Sequence, residues 1–271
     1  MTNVLPIGAL YKACFKETVK CLKGSFTFAW MPILFNLLAG YYYWVGSVSE
    51  VGVSGTVRSS NIMSLYSDIP SDAINVFYIF YTIYYLSLVF ISLSWTEHVI
   101  TKNKPKWIFD IRVLKYFFFT ILIIFIIYMP ILIGIYALGT LTTFSNISYG
   151  GVFLFGFVIF IFTIAFANRF ILVLPAISVN NPKTGFGRSF ELTSGHTLKL
   201  FVCLNLFYLL ITIISALIGF IGQIMMFDQI TFMLGILVIT VTQIISLFLY
   251  NEMVGRLFVY FHMPDQLKNY L

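Results

Sequence analysis

Three histidines (His98, His196, His262) and three cysteines (Cys14, Cys21, Cys203) are the chain's candidates for metal or nucleophilic chemistry. A hydrolytic site needs a nucleophile with its base, two cooperating carboxylates or a metal cage. The histidines stand on separate segments, and no two have a ligand spacing such as His-x-x-x-His. Cys14 and Cys21 share one helical stripe and Cys203 lies in an apolar block, so all three read as small buried hydrophobes. An enzyme acting on lipid headgroups would have to bring His98, His196 or His262 together with Glu97, Glu191 or Glu252. The chain has neither a Gly-rich phosphate loop nor a dinucleotide fingerprint. The expectation is a protein that is not an enzyme and carries no metal or cofactor.

Two other groups of polar residues are candidates for binding. Asn36, Asn205 and Gln243, with Thr240, Thr242 and Ser246, sit inside long apolar blocks that hold no acid or base near their middle. In hydrocarbon such groups need partners. Hydrogen bonds between helices, worth about 0.6 kcal/mol each, supply one explanation; a path for a small neutral solute supplies another. The second group is Arg169, Arg188, Glu191, Glu252 and Arg256, predicted to form a charge cluster at one face of the protein. Glu252 and Arg256 lie four apart with the acid first, the favourable order on a helix.

The elements that position these residues follow from composition. Of the 271 residues, 60% are hydrophobic, 19% aromatic and only 10% charged. Soluble domains carry about 25% charge. A spanning helix needs about 20 mostly apolar residues, and six blocks qualify: residues 25–46, 73–95, 113–139, 149–167, 197–222 and 229–250. Barrel strands would alternate apolar with polar residues, whereas these blocks are apolar on every side. Lipid offers the backbone no partner, so they must be helices. The predicted fold is all-α, a polytopic membrane protein with six transmembrane helices.

All but Arg58 of the 16 basic residues fall on one side of these blocks. Basic residues near helix ends stay cytoplasmic, which predicts a multi-pass inner-membrane protein with both termini inside. The net charge of +6 is therefore a topology signal, spread over four inner segments and unlike a nucleic-acid surface.

Residues 1–24 read as an amphipathic interfacial helix, residues 25–263 as the transmembrane domain and 264–271 as a cytoplasmic tail. Lys12, Lys16, Lys20 and Lys23 share one quarter of the helical wheel, with Ile7, Leu10, Tyr11, Cys14, Thr18, Cys21 and Leu22 opposite. That pattern predicts lysines on anionic headgroups and an apolar stripe in the acyl boundary. No cleavable signal peptide is read in residues 1–22. The outer segment 47–72 has no metal or nucleophile cluster, and Asn146-Ile-Ser148 is a short glycosylation match close to the membrane.

Between the fourth and fifth blocks, Arg169 is expected at the inner interface. Residues 170–177 are too short to span and are broken by Pro175, so they should dip against the bundle. Residues 185–194 should form a short helix that leaves through Gly195. Arg169 and Pro175, followed by Arg188-Ser-Phe-Glu-Leu-Thr-Ser-Gly195 and a new apolar span, resemble a broad group of bacterial six-helix membrane proteins. One branch is the membrane domain ahead of some glycerophosphoryl diester phosphodiesterases; others stand alone. Many relatives carry an acid after the proline region, where this chain has Asn180-Asn-Pro182. The resemblance implies an integral inner-membrane protein and carries over no active site, because the phosphodiesterase chemistry resides in a separate domain.

The leading expectation is a structural or accessory role, organising lipid with anionic headgroups, or a protein partner, at the cytoplasmic face. The alternative is a carrier for an amphiphile or small neutral solute. A polar cavity reaching Gln243 would separate the two.

Overall fold

The computed structural model describes residues 6–54, 71–144, 149–181, 185–226 and 231–263. Among these the chain is helical, with no strand: α1 (Ile7–Phe28), α2 (Trp30–Ser54), α3 (Ser71–Thr101), α4 (Ile111–Phe144), α5 (Tyr149–Ala167), α6 (Val173–Ser178), α7 (Phe186–Leu192), α8 (Thr197–Met226) and α9 (Phe232–His262). Five segments are long and apolar enough to cross a membrane: Asn75–Thr101, Ile111–Gly134, Gly156–Ser178, Thr197–Met225 and Phe232–His262. Apolar side chains such as Leu114, Phe118, Ile121 and Phe125 on α4 point outward, as hydrocarbon permits and water would penalise. The block predicted at 25–46 is divided at Ala29 between α1 and α2, and the side chains of residues 21–28 and 44–54 lie outside the described set. So do Asn146-Ile-Ser148 and residues 55–70.

The chain divides into two compact units, one of Met1–Val19, Leu93–Leu210 and Leu249–Leu271, the other of Lys20–Ser92 and Ile211–Phe248. In the first, Leu10, Trp95, Leu172, Leu200, Phe207, Met253, Leu257 and Phe258 form the core. A Cβ on Gly255 would stand 2.7 Å from Val99 Cγ1, so only glycine admits this approach of α9 to α3. In the second unit the core holds Ala39, Tyr84, Ile91, Phe232, Ile236, Ile244 and Phe248. There a Cβ on Gly222 would lie 2.8 Å from Ile239 Cγ1 and 3.1 Å from the Gly235 carbonyl oxygen, which holds the adjoining parts of α8 and α9 close.

The stripe on α1 has a different neighbour from the one its periodicity suggests. Leu10 and Cys14 are fully buried and Thr18 nearly so. Tyr11 donates a 2.6 Å hydrogen bond to the Cys203 carbonyl, and the Tyr11 and Phe15 rings lie 4.9 and 5.6 Å from Phe207. Protein therefore covers the described part of the apolar face, while Lys12, Lys16 and Lys20 are exposed. Lys23 has its backbone in α1, but its side chain lies outside the described residues.

The break after α5 is a single turn of 3-10 helix (Asn168–Phe170) followed by α6. Pro175 is the third residue of α6, where a backbone N–H has no intrahelical partner to lose. Pro175 thus starts a helix here, and residues Ile171 to Ala176 bury their side chains. After α7, Gly195 turns the chain at φ +77°.

At the connection between α3 and α4, Asp110 caps α4. Its Oδ1 accepts from the Arg112 amide at 2.8 Å and its Oδ2 from Arg112 Nε at 2.8 Å. Arg112 Nη1 also donates to Glu97 Oε2 at 3.0 Å and to the Ser178 carbonyl at 2.7 Å, joining α3, α4 and α6. Slight burial acts to raise the Asp110 pKa, but the Arg112 hydrogen bonds and charge outweigh it and hold the carboxyl below its usual range. The sign is that of a depressed acid: its stabilisation is present above the ordinary carboxylate pKa and disappears as pH falls through the lowered value. Asp110→Ala should cost about 1 kcal/mol. Thermal unfolding in detergent should show that loss at pH 7, and the difference from the parent should shrink once Asp110 is protonated.

Candidate functional site

Side chains from α2, α3 and α9, all within the second unit, surround a cleft of about 290 Å³. Asn36, Tyr84 and Gln243 provide its polar groups, and Tyr43, Phe77, Tyr81 and Phe232 are aromatic walls. Gly40, Ile236 and Ile239 complete the lining. Among the described residues, no acid or base lines it.

The polar groups are fixed by a short chain of hydrogen bonds. Thr240 Oγ1 donates its one proton to the Ile236 carbonyl at 2.7 Å. Towards Asn36, at 2.6 Å, that oxygen can therefore only accept, which assigns Nδ2 of Asn36 as donor. Asn36 Oδ1 is left as an acceptor with no hydrogen-bond partner among the described residues. Gln243 Oε1 accepts from the Tyr84 hydroxyl, and Gln243 Nε2 likewise has no described partner. Tyr84 is almost fully buried, whereas Gln243 is exposed. A buried phenol thus sets the orientation of an accessible amide.

Sequence periodicity places Asn36 and Gln243 in blocks far apart in the chain, and the structure brings them to one cleft. Asn205 is not part of it: its Nδ2 donates to the Phe201 carbonyl one turn back on α8, at 2.7 Å. Thr242 and Ser246 also bond back to their own helix, and Ser246 meets Ser215 at 2.6 Å. Tyr84 escaped the sequence reading. The signal for it was the spacing of Phe77, Tyr81 and Tyr84, which returns aromatic rings to one face of α3 every three or four residues.

The predicted charge cluster resolves into three separate arrangements in the first unit. Glu252 and Arg256 form a buried pair, with Arg256 Nη2 to Glu252 Oε1 at 2.6 Å and Nε to the same oxygen at 3.0 Å. Arg188 and Glu191 pair at 3.1 Å on an exposed face. Arg169 meets neither acid. Its Nη2 donates to the Phe190 carbonyl at 2.7 Å, and its guanidinium stacks on the Phe190 ring. Arg169's own carbonyl accepts from Ser189 Oγ at 2.6 Å, so α7 is clamped to the 3-10 turn from both ends of one residue. The arginine answers the final carbonyls of a helix, a role for which no carboxylate is required.

The histidines are dispersed. His98 Nδ1 faces the Asn103 carbonyl, His196 packs edge-on to Phe261, and His262 Nδ1 lies 3.2 Å from the Phe258 carbonyl. Glu97, Glu191 and Glu252 are each paired with an arginine instead. Cys14 and Cys203 are buried free thiols, and the Cys21 side chain lies outside the described residues. Among the described residues, no three of His, Cys, Asp and Glu are grouped to hold a metal ion. A smaller cavity of about 90 Å³ lies between Ser94, Glu97, His98 and the Asn103–Lys106 connection. Ser94 Oγ, which donates to the Lys106 carbonyl at 2.6 Å, closes that loop onto α3.

Comparison with family models, curated proteins and solved structures finds no match to this chain.

The buried pair generates a test of the first unit. Removing one partner strands a charge where solvent cannot reach it, at about 3–5 kcal/mol, while replacing both with apolar groups is far milder. Glu252→Gln and Arg256→Met should each lower the unfolding temperature in detergent strongly, and Glu252→Leu with Arg256→Met should recover much of the loss. Equal and small shifts in all three would show that the pair is solvated.

Proposed function

We propose that this protein is a non-catalytic membrane carrier that takes up a small uncharged amphiphile in the cleft between α2, α3 and α9. The cleft at Asn36 and Gln243 is the observation that carries this reading. Its volume is at the lower end of ligand sites, and its combination of apolar walls with a few placed polar groups is the usual chemistry of a small-molecule pocket. Amides lower the cost of bringing a hydroxyl or amide headgroup into hydrocarbon, and an uncharged lining gives an ion no compensation.

In this reading the protein spans the bacterial inner membrane six times, with both termini cytoplasmic. Five long apolar segments support the spanning architecture, the asymmetry of Lys and Arg supports the orientation, and the resemblance to the membrane domain of glycerophosphoryl diester phosphodiesterases supports the compartment. The amino-terminal helix lies at the interface with Lys12, Lys16 and Lys20 towards anionic headgroups. A second reading, a structural or accessory role at the cytoplasmic face, is favoured by one observation: Leu10, Cys14 and Thr18 of α1 are already buried, while Lys12 and Lys16 are exposed.

A photoactivatable monoacylglycerol separates these readings. In proteoliposomes, labelling should concentrate in peptides containing residues 36–43, 77–84 and 232–243. Gly40→Leu and, independently, Ile239→Phe should reduce it at least fivefold in protein that still unfolds cooperatively. Labelling spread evenly over the lipid-facing surface, and indifferent to both substitutions, would overturn the carrier.

A further inference from the structure

The hydrogen-bond assignments in the cleft go further than its size and polarity, because they leave a specific pair of groups unanswered. Asn36 turns one Nδ2 proton to Thr240 and keeps Oδ1 as an acceptor with no described partner. Gln243 turns Oε1 to Tyr84 and keeps its Nε2 protons with no described partner. Thr240 and Gln243 are three residues apart on α9, so the two groups are anchored about one helical turn from each other. We infer that the cleft selects an uncharged ligand whose polar end is a carboxamide, its N–H answering Asn36 and its carbonyl answering Gln243, with an apolar or aromatic body against Phe77, Tyr81 and Phe232.

This inference rests on the carrier reading and narrows it. A hydrocarbon would leave both amides without partners, and an ester or ketone would answer Gln243 only. A carboxylate could accept from Gln243 but would set its charge against Asn36 Oδ1. It would also meet no cation among the described residues that line the cleft. An ammonium ion could donate to Asn36, yet it would face the Gln243 donor and the same absence of a countercharge. The aromatic walls favour a flat body, since offset and edge-to-face ring contacts add to the area buried.

The test uses the full chain in nanodiscs, with empty nanodiscs as the reference for partition into lipid. Binding of 2-naphthamide, methyl 2-naphthoate, 2-naphthoate and naphthalene is measured by equilibrium dialysis at pH 8. The amide should bind at least tenfold more tightly than naphthalene and naphthoate, with the ester between. Asn36→Leu should remove most of the preference of amide over naphthalene. Gln243→Met combined with Tyr84→Phe should do the same without stranding the buried phenol, and it carries the test if Asn36→Leu fails to fold. Equal binding of amide and naphthalene, tightest binding of naphthoate, or a preference that survives in the folded variants would overturn the carboxamide assignment. If naphthalene and amide bind equally and Gly40→Leu displaces both, the carrier reading stands and the selectivity falls. If no probe is retained above empty nanodiscs, both fall.

Discussion

Hydrocarbon offers no hydrogen bonds, and each polar atom inside the spanning helices must find its partner within the protein. For the backbone the helix itself is the answer. For hydroxyls the solution is almost as local. Thr82, Thr120, Thr240, Thr242 and Ser246 all donate to the carbonyl four residues earlier on their own helix. A hydroxyl has one proton, and that bond uses it. A carboxamide has two donors and an acceptor, more than its own helix can satisfy. Asn36 and Gln243 therefore reach across to other helices and still retain unused capacity at the cleft. That capacity distinguishes them from the hydroxyls of the spans, and their place at the cleft distinguishes them from Asn205, which bonds back to its own helix.

The two units meet the same constraint in different ways. In the first, charge is retained and given partners within the protein: Glu252 with Arg256, Glu97 and Asp110 with Arg112, and Arg169 with the carbonyl of Phe190. The Arg112 and Arg169 contacts fasten helix ends and short connections, where a chain leaving a helix has carbonyls and amides to satisfy. The burial of Glu252 and Arg256 does not make them a binding site, because each already answers the other. Around the cleft of the second unit, the polarity of the described lining is carried by amides and phenols. The separation of roles follows from cost: a stranded charge in such surroundings is far more expensive than a stranded amide.

Much of this architecture was legible in the residues. The fifth helix begins and ends where its apolar block does, at Tyr149 and Ala167, because both sides of that block are punctuated by polar residues. The periodicity of the amino-terminal helix sets Lys12 and Lys16 apart from Leu10 and Cys14, and the former are exposed where the latter are buried. Periodicity identifies an apolar face but not what covers it, so the contact with Phe207 was beyond its reach. Spacing along the chain likewise could not place Arg112 on Glu97 and Ser178, since that clamp depends on how three segments fold back. The partner of Arg169 is hidden for a related reason. A search for opposite charges overlooks carbonyl oxygens, which every residue carries and no composition reveals.

The candidate site illustrates the same limit from the other side. Asn36 and Gln243 were recognisable as unusual because an amide amid apolar residues must be satisfied somewhere. Whether they satisfied one another, separate helices or a ligand depended on the third and fourth participants, Thr240 and Tyr84. Thr240 matters through the direction of one proton: were its hydroxyl not committed to Ile236, Asn36 could offer either end of its amide to the cleft. Tyr84 matters through burial, since a phenol without access to water holds its acceptor in place. The cleft thus presents an amide pair whose orientation is set by Thr240 behind it and by the buried Tyr84 beside it. A substitution at Thr240 would alter what the cleft presents without changing any atom that a ligand touches.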